Sequence, residues 1–152
     1  MGGRCRTAWI AIATALACAV LLPAQAAGAD DGRRMIEEVN ELRARHGLAP
    51  FAASDALSRS SARYAGWQMR ADWFGHVDGI RADRAWSSLG EAISIHTGFR
   101  PRVPVTVRRW ARSPSHAALL LSPTFRSAGA GLSRGRFRGG RATIWVMQFG
   151  LR

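Results

Sequence analysis

The sequence predicts an α+β domain with its helices first and an antiparallel hairpin last, and three observations carry that class. Apolar residues recur at helical spacing from Met35 to Met69, two strand-length runs, Ala128 to Leu132 and Thr143 to Phe149, close the chain, and a glycine- and arginine-rich turn joins those runs. Strands collected at the end, rather than alternating with helices, argue against a doubly wound parallel sheet.

The chain opens on a targeting segment. Arg4 and Arg6 form a basic n-region, the stretch from Ala8 to Leu22 is almost wholly apolar, and Ala24-Gln25-Ala26 and Ala27-Gly28-Ala29 both fit a small-x-small cleavage pattern. The apolar run falls short of the roughly 20 residues that span a bilayer, and no later segment is apolar enough. The expectation is a Sec-type signal peptide over residues 1–29 and a single domain over 30–152, secreted or periplasmic. A lipoprotein anchored at Cys18 is the weaker alternative, because Leu16 stands one place later than the leucine of a lipobox. Both cysteines, Cys5 and Cys18, lie in this segment, so the mature domain holds its fold without disulfides in an oxidising compartment.

Met35, Ile36, Val39 and Leu42 then trace one face of a first helix, with Glu37, Glu38 and Glu41 on the other and Gly47 as its stop. Ser54 or Asp55 caps a second helix, in which Leu57, Ser61, Tyr64, Ala65, Gln68 and Met69 mark one side and Trp67 lies alongside. It ends between Asp72 and Gly75. Ile93 and Ile95 share one parity in the run Gly90 to His96, which suits a short strand. Pro101 and Pro104 break the chain before a short helix that reaches Trp110, and Pro114 starts another carrying His116, Leu119 and Leu120. In the closing hairpin, Gly129 and Gly131 suggest close backbone approach. Arg134, Arg136, Arg138 and Arg141, with Gly135, Gly139 and Gly140 between them, read as a mobile hairpin tip.

All 22 basic residues are arginine against 10 acidic ones, a formal charge of +12. A solvated surface with a coding bias toward arginine explains this most simply. A field of this sign also concentrates polyanions, so lipid head groups or anionic envelope polymers are candidate partners. The aromatic Phe137 within the Arg-Gly segment admits an RNA-binding Arg-Gly-Gly reading, but the segment is short and sits between two strand-like runs, so nucleic acid is disfavoured. The domain is expected to be monomeric.

The chemistry-bearing pieces are widely separated: Phe74-Gly75-His76, Gly90-Glu91, and Trp110 through Ser113-Pro114-Ser115-His116. Two imidazoles and a carboxylate suit a borderline cation such as zinc, with an open position for water or ligand. The same groups suit proton transfer, with glutamate setting a histidine's tautomer. In a purely structural reading the histidines bond loop backbone and Glu91 caps a neighbouring element. The usual zinc spacing of two histidines one helical turn apart is absent. His46, in the last turn of the first helix, has a structural reading, and His96, with no acidic neighbour, reads as a surface or rim residue. Ser113 caps the helix after it, and with no Gly-x-Ser-x-Gly motif a serine hydrolase is disfavoured. Tyr64, Trp67, Trp73, Trp110 and Trp145 read as core or cleft wall, and no spacing supports an aromatic sugar platform.

Taken in order, Asn40-x-x-Arg43, His46-Gly47-Leu48-x-Pro50, Phe74-x-His76, Gly90-Glu91, Trp110-x-x-Ser113-x-x-His116, Gly129-x-Gly131 and Phe149-Gly150 resemble the CAP superfamily. That superfamily groups cysteine-rich secretory proteins, antigen 5 and pathogenesis-related 1 proteins; this chain is similar to its short bacterial secreted branch, from about Met35 to Gly150. The resemblance implies an α–β–α sandwich with a central antiparallel sheet and a cleft lined by two histidines and acidic residues. His76 matches the first cleft histidine, Glu91 the glutamate and His116 the second histidine. The family's second cleft glutamate falls on Ser113, Ala92 stands where asparagine is usual, and Ala117 where arginine is frequent. A mechanism that needs two carboxylates is therefore in doubt, with Asp72, Asp78 and Asp83 as nearby replacements whose plainer role is in loops or caps. The expected function is a cleft that binds a divalent cation, zinc or another, or a small extracellular ligand through His76, Glu91 and His116. The same three are the catalytic candidates, with no established reaction. The alternatives are a hydrolase of envelope peptide or glycan, with water activated by metal or by Glu91, and a lipid or anionic-polymer binding module that uses the arginine surface.

Overall fold

A computed structural model describes residues 23–80, 82 and 86–152. The basic n-region, the apolar run to Leu22 and both cysteines lie outside the described residues, as does Asp83. Eight elements follow in order: α1 (Pro23–Arg45), β1 (Ala52–Ala53), α2 (Asp55–Arg70), β2 (Ser88–Thr97), α3 (Val103–Arg112), α4 (Pro114–Leu120), β3 (Ser127–Phe137) and β4 (Gly140–Leu151). The strands form one sheet in the order β1-β3-β4-β2. Its three long strands are antiparallel, and the two-residue β1 pairs parallel to β3, so the sheet is mixed rather than wholly antiparallel. Among the described residues no helix is long and apolar enough to cross a membrane.

The period of two in the strands decides which helix covers which face. On β4, Trp145, Met147 and Phe149 join Met35, Ile36, Val39, Val103, Val107, Trp110 and Leu120 in the larger core, so α1, α3 and α4 cover that face. The opposite parity, Ala142, Ile144 and Val146, packs with Ala65 and Met69 of α2. This gives the helix–sheet–helix sandwich.

Side-chain size on β3 sets the depth of α2. A Cβ at Gly129 would overlap the backbone of Leu57 and Ser58, and one at Gly131 would overlap Ala62. The expected close approach is therefore that of α2 onto β3. Ser54 caps α2 by accepting from the Leu57 N–H at 3.4 Å, and the buried Ser61 donates to the Gly129 carbonyl at 3.1 Å.

The motif residues of α1 hold the loop that follows it. Asn40 donates to the Phe51 carbonyl at 3.1 Å and accepts its N–H at 2.8 Å. Arg43, only 1% exposed, donates to the carbonyls of Ala49, Leu120 and Ser122 at 2.8, 2.7 and 3.0 Å, and its guanidinium lies 3.7 Å from the Phe51 ring centre. Gly47 turns the chain with φ +69°.

Two expectations change here. The arginine-rich segment is not a mobile tip, because β3 runs through Phe137 and leaves only Arg138 and Gly139 in the turn. Arg134 is ion-paired with Asp31 and donates to the Phe99 carbonyl at 2.9 Å, and Arg136 donates to the Gly139 carbonyl at 2.7 Å. Nor is His96 a rim residue. It is 6% exposed, and its Nε2 lies 2.9 Å from Thr106 Oγ1, on the face that α3 covers. The strand's alternation places it there, opposite in parity to Ile93 and Ile95.

Candidate functional site

Helix α2 positions the loop that carries His76. Tyr64 and Gln68 lie one turn apart on the helix and both reach Gly75: the Tyr64 hydroxyl donates to its carbonyl at 2.8 Å, and the Gln68 carboxamide oxygen accepts its N–H at 3.3 Å. The residue after this clamp, His76, then meets Glu91 of β2, with Nδ1 2.9 Å from Glu91 Oε1. His76 is 53% exposed and Glu91 only 6%, so the imidazole covers the carboxylate from the solvent side.

Glu91 is held from below as well. The cross-strand register places it opposite Gln148, whose Nε2 donates to Glu91 Oε2 at 3.0 Å. Both carboxylate oxygens therefore accept hydrogen bonds, and His76 donates from Nδ1, leaving Nε2 as its acceptor nitrogen. The hydroxyl of Tyr64 is pushed up to about 12, by burial first and by the Glu91 charge second, with the Val77 backbone opposing. It is a neutral donor at any physiological pH.

His116 sits in the first turn of α4, half-buried, 6.2 Å from Trp110 between ring centres. Its Nδ1 lies 3.0 Å from Ser113 Oγ. Burial lowers its pKa first, and the charge of His76 lowers it further. Ser113 stands at the N-cap position of α4, but its side chain does not cap the helix as expected; it turns to His116 and lies 3.3 Å from Ser115 Oγ.

The structure thus joins His76 and Glu91 directly and places His116 within electrostatic range. Among the described residues no three His, Cys, Asp or Glu side chains are gathered as a metal-binding group. Asp72, at φ 51°, accepts from the Arg138 N–H and so holds the hairpin turn, while Asp78 is exposed and does not line the pocket beside Glu91. Trp110 and Trp145 are core, and Trp110 donates to the Ile93 carbonyl at 3.0 Å.

Beside Glu91 opens a pocket of about 270 Å³, walled by Tyr64, Trp67, Val77 and Ile80, with Ser60 and Arg63 also lining it and Gln148 joining Glu91. Sequence reasoning missed Gln148 and Arg63. Gln148 was detectable, as a lone carboxamide in the otherwise apolar end of β4, between Met147 and Phe149. Arg63 had no distinguishing signal among so many arginines.

Solved structures of other proteins share this fold. A solved outer surface protein from Borrelia burgdorferi shares 21% identity with a TM-score of 0.65, over 81% of this chain and 93% of its own. An extracellular protein containing a SCP domain from Bacillus anthracis shares 16% at a TM-score of 0.61, over 81% of this chain but 41% of the longer relative. Venom allergen-like protein 4 of Schistosoma mansoni shares 9% at 0.64, over 80% of this chain and 88% of its own. No curated protein sequence matches the chain. These likenesses show the fold. The sequence model of the CAP, or cysteine-rich secretory protein, family matches residues 36–149, a span that holds His76, Glu91, His116 and all of the sheet except the last two residues of β4, and the chain belongs to that family.

Proposed function

We propose that this is an extracellular binding domain whose cleft takes a small ligand through His76 and Glu91, with His116 at its edge. The observation that carries the reading is the buried Glu91 carboxylate, held by His76 on one oxygen and Gln148 on the other at the edge of an open pocket. A nearly buried charge beside an apolar-walled cavity is an arrangement suited to orienting a ligand's polar group. The export reading is supported by the outer-surface and extracellular proteins that share the fold.

A divalent cation is the inorganic form of the same proposal. The donor types suit zinc: His76 and His116 make their hydrogen bonds through Nδ1, which leaves each Nε2 for a metal, and a carboxylate on the other ring nitrogen, as Glu91 is on His76, is the usual partner of a metal-ligating imidazole. Among the described residues, however, no three such side chains are gathered into a metal-binding group. Calorimetric titration with zinc chloride at neutral pH tests this, run on the wild type and on a His76→Ala, His116→Ala double variant. One-to-one binding that the variant loses supports the cation form; equal heats from both proteins overturn it and leave the organic ligand.

A further inference from the structure

We propose that the pocket beside Glu91 is a subsite for one neutral pyranose ring of a glycan. This rests on the binding-domain reading above and names the ligand class for that site.

The first support is an unspent buried acceptor. Gln148 is 1% exposed and lines the pocket, and its Oε1 has no hydrogen-bond partner among the described residues. The orientation of the carboxamide follows from the network, because the reverse assignment would set an oxygen against the Glu91 carboxylate. A buried acceptor without a partner is unfavourable, and a ligand donor that reaches it recovers that loss.

The second support is the balance of charge. Glu91 and Gln148 offer acceptors, whereas Arg63 offers a guanidinium with no hydrogen bond or ion pair among the described residues. An ammonium ligand would satisfy the acceptors and be repelled by Arg63. A carboxylate would satisfy Arg63 and be repelled by Glu91. A ring of hydroxyls donates to one set and accepts from the other, so a neutral polyol satisfies both.

The third support is the wall. Tyr64 and Trp67 stack at 5.7 Å between centres and 10° between planes, and Trp67 continues to Trp73 at 5.4 Å. Among the described residues, Trp67, Trp73 and Val77 are three of the four exposed large apolar side chains, and Trp67 and Val77 line the pocket itself. The C–H faces of a pyranose supply the apolar surface that such a wall covers. A volume of about 270 Å³ limits the occupant to about one ring.

Saturation-transfer NMR on the purified domain tests the subsite with methyl β-glucoside and N-acetylglucosamine as probes. Cyclohexylammonium and cyclohexanecarboxylate serve as ring-sized charged controls. At least one sugar should bind, with a Kd in about the millimolar range set by so small a ligand. Trp67→Ala, an exposed change, should weaken that binding at least tenfold and leave the zinc titration as it is in the wild type, and Arg63→Ala should relieve the exclusion of the ammonium. The proposal is overturned if neither sugar binds, if a charged control binds in preference, or if Trp67→Ala leaves sugar binding unchanged. Loss of the zinc response alone strikes the cation form of the binding-domain reading and not the sugar subsite.

Discussion

The two faces of the sheet are built on opposite terms. On the face covered by α1, α3 and α4, the buried polar groups, His96 Nδ1 apart, are bonded: Arg43 commits its guanidinium to three carbonyls, and Trp110 and Trp145 bond the Ile93 and Pro101 carbonyls. On the α2 face the core is smaller, glycines on β3 draw the helix in at one end, and the other end stays open beside Gln148, whose buried carboxamide oxygen has no partner among the described residues. The lesson is that this domain stores its stability on one face and its chemistry on the other, so substitutions on the two faces should separate folding from binding.

The largest break in that comparison is Arg43→Ala. It strips three carbonyls of their donor, that of Leu120 fully buried, and opens a void at Phe51, so urea denaturation should show a loss of about 3 kcal/mol or more. His76→Ala, on a half-exposed side chain, should by contrast leave the urea midpoint nearly unmoved. Tyr64→Phe sharpens the open side at smaller amplitude. It removes one hydrogen bond to Gly75, with a loss of about 0.5–1.5 kcal/mol, and it should speed amide hydrogen exchange at Gly75 and His76 while the Arg43 region stays protected.

The smallest effect is a pH slope belonging to the closed face. His96 has its pKa lowered from 6.5, by burial first and then by the charges of Arg109 and Arg102. Thr106 donates to the Arg102 carbonyl and so accepts from His96 Nε2–H, which leaves Nδ1 as a bare, unpartnered acceptor in the core. The unfolded chain therefore takes up the proton first as pH falls. Stability is full above the ordinary histidine pKa and declines below it. His116 contributes in the same direction. Melting temperature should fall between about pH 7.5 and about pH 5.5, and less steeply in His96→Gln; equal slopes in the two proteins would show that His96 does not carry the effect.

Much of this was legible beforehand because it is local. Helical spacing placed α1 and α2, Ser54 announced a cap, prolines marked the starts of α3 and α4, and Gly129 and Gly131 marked a close approach whose partner is α2. The ordered motif pieces pointed to the family before any coordinate. What misled was also local. Glycines among arginines suggested a loose tip, yet strand pairing to β4 runs through Arg136 and Phe137 and absorbs them. His96 lacked an acidic neighbour in sequence, which says nothing about burial.

By itself, then, the sequence determined the helices, the Ser54 cap, the alternation of the strands, and the identities of the two histidines and the glutamate, all of which depend on residue type and short-range spacing. Only the tertiary structure decided that His76 meets Glu91 while His116 turns to Ser113, that Gln148 lies under the carboxylate, and that Tyr64 and Gln68 hold the loop in place. Those contacts depend on β2–β4 register and on the depth at which α2 sits. Both are set by packing across the whole sheet, a property that no short stretch of sequence contains.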